Sequence, residues 1–391
     1  MKKNISLDNA ATTQIHPSAI DAMMEYWNSG RSNVGRGLYP LAEESMNHYE
    51  SARASVAQFT QGGNPPIAQS HQCVFTKSVT ESLNMLAFGL ASKLSPGDEI
   101  LVSPFEHHAN LLPWRRIAQD RGAILRTMPM TVDFMLDLDG AKAMMNNRTK
   151  IIAITLVSNV LGTIVPVAEI ADAAHHFGAI VIVDAAQAAP HIPIDVDALG
   201  ADALTFSSHK CRGPNGIAAL ILSNHLIASL NPMLLGGGMV DHVTNDGATW
   251  KSGVEKFEAG SPNVEGAIGF AAALKWIQEQ RHPRECGDPE NMLRPLLINS
   301  LRSIPEITIY NPTSAVAIVA FTVANLHPHD VADMLGKRGV CIRAGHCCAA
   351  PLVEKLSPNG ICRVSLGANT TVADIDALVI ALKEIIVIAN I

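Results

Sequence analysis

The fold is decided by Ala179-Ile180-Val181-Ile182-Val183-Asp184-Ala185-Ala186-Gln187 and by Ala203-Leu204-Thr205-Phe206-Ser207-Ser208-His209-Lys210, sixteen residues further on. Each half is a short apolar run that ends abruptly in polar groups. Continuous apolar strands belong to sheets covered on both faces. In open α/β sheets the ligand sits at the carboxyl ends of the strands. Here those ends carry a carboxylate, an amide, two hydroxyls, a histidine and a lysine.

Outward from this stretch the pattern repeats. Strand-like runs are expected at Cys73–Thr76, Glu99–Val102, Ile124–Met128, Ile151–Val157 and Ile217–Leu222. Ala-rich helical stretches such as Val167–Phe177 lie between them and predict parallel crossovers in a three-layer α/β domain. Past residue 275 the rhythm shortens. Helix-like Asn291–Leu301 leads to Ile307–Tyr310 and Val316–Val323. Helix-like Asp330–Gly336 then leads to a strand at Val340–Arg343, and Val372–Ile388 is helical again. The segment Arg281–Pro289 holds Pro283, Gly287 and Pro289 and reads as a connecting loop. The expected organisation is a large, mostly parallel-sheet α/β domain over residues 17–278. A smaller α+β domain is built from 1–16 and 279–391.

Composition bounds the function. The chain has 391 residues, 48% hydrophobic and 17% charged, with a formal net charge of −7. That is apolar enough for a large core, and the mildly acidic balance argues against a nucleic-acid binder, though not against a basic pocket. Met1-Lys2-Lys3 is followed by no apolar run, and no stretch reaches membrane-spanning length, so a cytoplasmic protein is expected. The seven cysteines are odd in number and contain no Cys-x-x-Cys pair, which argues against a disulfide framework or a zinc ribbon. Cys73, Cys341 and Cys362 sit in apolar runs and read as packing residues. Cys286 lies in the connecting loop, and Cys211 is undecided beside Lys210.

Other strand ends carry chemistry too. Ser78 and Glu81 have capping-box spacing at a helix start, which serves either as a simple cap or as a phosphate site. Glu106-His107-His108-Ala109-Asn110 places two histidines after Glu99–Val102. Adjacent histidines do not share a helix face, so a metal pair is disfavoured and one ring can instead lie flat on an aromatic ring. Asn159 follows Ile151–Val157. A lysine, an aspartate and a phosphate-suited helix start are together what pyridoxal 5'-phosphate requires: a Schiff-base amine, a partner for the ring nitrogen and an anion cradle.

A second cluster, Arg343-Ala344-Gly345-His346-Cys347-Cys348-Ala349-Ala350-Pro351, reads as a mobile loop presenting an exposed thiol beside Arg and His. The competing readings are a metal site and inert thiols. Arg363, inside an apolar strand-like segment, pairs either with an internal acid or with a substrate carboxylate.

These residues, with Leu7–Ala11, Asn33–Gly37, Val157–Gly162, Gly236–Gly238 and Phe257–Asn263, form an ordered set that runs nearly end to end. The set resembles the class V aminotransferase group of fold-type I pyridoxal-phosphate enzymes, most closely the group II cysteine desulfurases and selenocysteine lyases. The resemblance implies that Lys210 carries the cofactor and that Asp184, Gln187 and His107 contact its ring. Thr80, Ser207 and His209 would hold its phosphate, with Ser261 reaching in from a neighbouring subunit. It implies Asn159, Arg363, Arg343 and Arg36 around the substrate, Cys348 as the persulfide-forming nucleophile and no metal. It further implies L-cysteine or L-selenocysteine as substrate, a homodimer, a sulfur-acceptor protein and delivery of sulfur to iron–sulfur clusters or other cofactors. Selenocysteine lyase, another β-lyase of the group, and a non-enzymatic sulfur or metal carrier are the alternatives. The sequence departs from the pattern at Gly35, Val79, Ser208, Cys211-Arg212 and Cys347.

Overall fold

The computed structural model describes residues 4–35, 37–62, 70–281, 289–311, 313 and 316–389. Arg36, Cys286 and residues 282–288 of the connecting loop lie outside the described residues.

Seven strands form the central sheet: β1 (His71–Thr76), β2 (Glu99–Val102), β3 (Ile124–Thr127), β4 (Thr149–Thr155), β5 (Ile180–Asp184), β6 (Ala203–Ser207) and β7 (Ala218–Ser223). Their spatial order is β1-β7-β6-β5-β4-β2-β3. Strands β2 to β6 run parallel, whereas β7 is antiparallel to both neighbours. The reason is chain length. Only residues 208–217 join β6 to β7, too few for a crossover helix.

The alternation along each strand builds two cores. Ile152, Ile154, Val181, Val183, Leu204 and Phe206 enter one apolar cluster. Their neighbours Ile151, Ala153, Ile182 and Ala203 enter another on the opposite face. Period-two geometry thus explains why nearly every residue in these strands is apolar. After β2 the chain steps outward to β3, then returns to place β4 on β2's other side. This reversal opens a crevice at the strand ends.

A second sheet has the order β8-β9-β11-β10, with β8 (Ile307–Tyr310), β9 (Ile318–Val323), β10 (Arg343–Gly345) and β11 (Ile361–Ser365), all antiparallel. Leu7 packs in one apolar cluster with Leu297, Leu301, Phe321, Leu335, Leu378 and Leu382. Ile5–Ser6 pairs in parallel with Val340–Cys341.

The single strand expected at Val340–Arg343 is therefore two strands with different partners. The loop expected over 343–351 is also shorter than that stretch. Its first three residues are sheet-paired in β10, and Ala350–Leu356 is already helical. Only His346–Ala349 connect them. A hairpin at Val240–Val243 and Ala248–Trp250, largely exposed, gave no sequence signal because no face of it is buried.

Among the described residues no helix is long and apolar enough to cross a membrane.

Candidate active site

A cavity of about 290 Å³ opens where the ends of β1, β4, β5 and β6 meet the turn after β10. Lys210, Asp184, Gln187, His107, Thr80, Ser207, His209, Asn159, Arg343, Arg363, Cys347 and Cys348 all line it.

Asp184 ends β5 and Lys210 ends the short turn that follows β6. Burial raises the Asp184 carboxyl, while the Lys210 charge and the Ala186 N–H, 2.9 Å from Oδ1, oppose it. Burial lowers the Lys210 amine, opposed by Asp184 and reinforced by Arg363. A lysine less basic than the free side chain is better suited to nucleophilic and base chemistry.

His107 caps the turn His108–Asn110, its Nδ1 accepting from the Ala109 N–H at 3.0 Å. Burial first, then the Lys210, His108, Arg363 and Arg343 charges, lower its pKa to about 4. Its ring is therefore neutral at pH 7, with the proton on Nε2.

Beneath it lies a group that sequence reading passed over. Glu106 is buried and accepts from Ser103 Oγ at 2.5 Å, Asn110 Nδ2 at 2.6 Å and Thr155 N at 2.8 Å. Burial still pushes its carboxyl up to about 8. It ties the His107 turn to the end of β4.

Ser78 caps the helix Val79–Leu90, its Oγ accepting from the Glu81 N–H at 3.2 Å. Glu81 reaches back to the Lys77 N–H at 2.5 Å, one residue before the usual capping-box donor. Thr80, in the first turn of that helix, is itself exposed. His209 Nδ1 lies 3.2 Å from Thr12 Oγ1, and Gln187 Nε2 donates to Ala10 O at 2.6 Å.

Several polar atoms argue that this cavity holds a ligand. Gln187 Oε1, Ser207 Oγ, Asn159 Oδ1 and Arg363 Nε are buried with no hydrogen-bond partner among the described residues. Such atoms cost free energy unless something meets them. Pyridoxal phosphate fits this donor set. Lys210 and Asp184 suit its aldehyde and ring nitrogen, Gln187 a ring substituent, and Ser207 with the Ser78-capped helix start its phosphate.

Arg363 is buried on β11. Its Nη2 pairs with Asp8 Oδ1 at 2.6 Å, and its Nη1 donates to Asn159 O at 2.9 Å. The internal-acid alternative is thus realised while the side chain still faces the cavity. Asp8 lies 355 positions away, so no local signal announced it. Arg343 and Arg363 are direct partners across β10 and β11. Like charges placed opposite repel, and one carboxylate does not balance two guanidiniums. An anionic ligand would.

Cys348 is exposed at the cavity wall and Cys347 is buried in the large apolar cluster. Both have left-handed backbone, with φ of 55° and 49°. Burial raises the Cys347 thiol. Cys73, Cys211 and Cys362 are buried packing residues, which resolves Cys211. Cys341 is only partly buried, because its strand pairs with Ser6 at an edge.

Ser261 is not in the cavity. It lines a neighbouring pocket of about 200 Å³ with Lys77 and Glu81. Its segment is anchored by Glu258, which binds Arg53 Nη1 at 2.6 Å, the Phe75 N–H at 2.6 Å and Tyr49 OH at 3.0 Å. Among the described residues no group of three His, Cys, Asp or Glu is placed to hold a metal ion.

The chain is similar along nearly its whole length to proteins named cysteine desulfurase. A probable cysteine desulfurase of Halalkalibacterium halodurans is 38% identical over 97% of this chain and 92% of its own length. A cysteine desulfurase of Klebsiella pneumoniae is 37% identical over 97% of this chain and 93% of its own. The crystal structure of the cysteine desulfurase CsdA from Escherichia coli superposes with a TM-score of 0.88 at 35% identity, covering 98% of this chain and 95% of that one. The apo structure of a cysteine desulfurase from Thermococcus onnurineus gives 0.90 at 35%, covering 98% and 94%. The aminotransferase class-V family model matches residues 5–378, and the chain belongs to that family of pyridoxal-phosphate enzymes.

Proposed function

We propose that this protein is a pyridoxal-phosphate-dependent cysteine desulfurase that converts L-cysteine to L-alanine and holds the released sulfur as a persulfide on Cys348. The observation that carries the reading is one cavity lined by a half-buried lysine, two facing arginines and an exposed thiol. Those are the groups needed to move a proton at Cα, to hold an α-carboxylate and to accept sulfur.

Pyridoxal phosphate, when bound, supplies an electron sink for charge developing at the substrate Cα. Arg363, with Arg343 at the rim, orients the substrate carboxylate. Lys210 takes the Cα proton and returns a proton to the three-carbon fragment once sulfur has left, a role that its depressed basicity suits. Neutral His107 packs the floor without adding positive charge. The Cys348 thiolate then attacks the substrate sulfur. A sulfur–sulfur bond forms, and the sulfur–Cβ bond breaks with its electron pair left on the three-carbon fragment, which picks up protons and leaves as alanine.

A homodimer completes this reading, with Ser261 from one subunit serving the phosphate end of the other's cavity. The position of Ser261 outside its own cavity supports that arrangement. A cytoplasmic sulfur-acceptor protein would take the persulfide sulfur onward to iron–sulfur or other cofactor assembly.

The test is to incubate the holoenzyme with L-cysteine, quantify alanine and map the persulfide by peptide mass. Cys348→Ser should lose desulfuration. Cys347→Ser should retain it with lowered stability, because its thiol is buried. If Cys348→Ser keeps full alanine production while Cys347→Ser loses it, the assigned nucleophile is wrong.

A further inference from the structure

Cys347 and Cys348 are two successive non-glycine residues in left-handed backbone, a conformation that L residues adopt reluctantly. Something must hold the turn there, and His108 supplies two of the contacts. Its backbone N–H donates to Cys348 O at 2.7 Å. Its Nε2 accepts from the Ala350 N–H, at the start of the helix Ala350–Leu356, at 3.1 Å. Asn159 Nδ2 adds a third by donating to Cys347 O at 2.8 Å. Both holders come from strand ends of the large sheet, and the turn belongs to the small one.

We propose that His108 is a positioning residue that clamps the Cys347–Cys348 turn from across the cavity and so aims the Cys348 thiol at the substrate sulfur. The inference rests on the desulfurase reading and adds to it a residue that the reaction itself does not use. The acceptor role requires an unprotonated Nε2. Burial, then the neighbouring His346 and Arg115, lower the pKa of His108 and keep it in that form. Its proton sits on Nδ1, and no cofactor contact is asked of it.

The clamp also explains the directions of these side chains. Glu106 fixes the 103–110 turn to β4 through the Thr155 N–H. His107 and His108 then diverge, one lining the cavity and the other reaching the Cys turn.

The experiment compares wild-type holoenzyme with His108→Leu and His108→Gln. Glutamine presents an amide oxygen that can accept from the Ala350 N–H, and leucine cannot. Three quantities are read: cofactor loading by visible absorbance, kcat and KM for L-cysteine, and the iodoacetamide alkylation rate at Cys348 by peptide mass. All three proteins should load cofactor equally. His108→Leu should lose about tenfold or more in kcat with KM within about twofold, since a misplaced reacting atom slows chemistry rather than binding. Its Cys348 alkylation rate should shift about severalfold, and His108→Gln should restore most of both. Unchanged kcat in a fully loaded His108→Leu, or a glutamine variant as poor as the leucine one, overturns the proposal. Should wild type itself make no persulfide, the functional reading fails. The alkylation comparison then decides the clamp alone, and equal rates in wild type and His108→Leu refute it.

Discussion

At the scale of single residues, burial does most of the electrostatic work. His107 is held neutral, with a pKa that falls from the ordinary 6.5 to about 4. Its folded value lies below its unfolded one, so the unfolded chain binds more protons between these pH values. The stability that this side chain contributes is complete above about pH 6.5 and is lost as pH falls toward 4. Denaturant midpoints of wild type should therefore drop more steeply across that window than those of His107→Gln. Parallel curves would place the lost protons elsewhere. Cys347 makes the same point about burial. Adjacent in sequence to an exposed thiol, it packs into the apolar cluster, with its Sγ 3.9 Å from Gly345 O. The left-handed turn sends two identical side chains in different directions, so adjacency alone says nothing about shared chemistry.

At the scale of elements, the strands were legible because nearly every residue in them is apolar. Their positions agree with the expected runs to within about two residues, the scatter usual for such boundaries. The direction of β7 was not legible, because direction depends on the link that precedes it and not on the strand's composition. The helix start at Ser78 was read correctly from spacing. It leads to a sharp expectation: Ser78→Ala removes the side-chain cap and should cost about 1 kcal/mol of stability. It should also loosen cofactor retention, since the helix start lines the cavity. A chevron or denaturation curve measures the first effect and a cofactor-release assay the second. Retention unchanged in a clearly destabilised Ser78→Ala variant would show that the cap serves the helix alone. At the turn after β4, Gly162 has φ +65°, and a Cβ there would sit 2.9 Å from Ile318 O. That close approach seats the Asn159 turn against the second sheet, and only glycine permits it.

At the scale of the whole molecule, the site exists because two sheets meet. The central sheet supplies Lys210, Asp184 and His107, and the antiparallel sheet supplies Arg343, Arg363 and Cys348. The N-terminal segment closes the arrangement through Asp8, which bridges to Ser365 and pairs with Arg363. Asp8→Ala leaves a buried guanidinium without its carboxylate and should cost about 3 kcal/mol. Adding Arg363→Met should recover much of that stability while abolishing use of a carboxylate substrate. A double variant no more stable than Asp8→Ala would show that the ion pair is not what holds the N-terminal segment. The anchoring of the Ser261 segment by Glu258 and Arg53 belongs to the same scale, since it fixes a group that its own cavity does not use.

The sequence by itself determined the α/β architecture, the strand ends that carry Asp184, Lys210, His107 and Asn159, and the resemblance that links them to pyridoxal phosphate. Periodicity and turn chemistry are local, and local rules reach as far as one strand and the residues after it. Only the tertiary structure decided which acid Arg363 pairs with and which of two adjacent thiols is exposed. It alone split the expected strand at Val340–Arg343 and set His108 against the cysteine turn. Each of these joins residues far apart in the chain, and the joining is set by how the two sheets pack rather than by any pattern along the sequence.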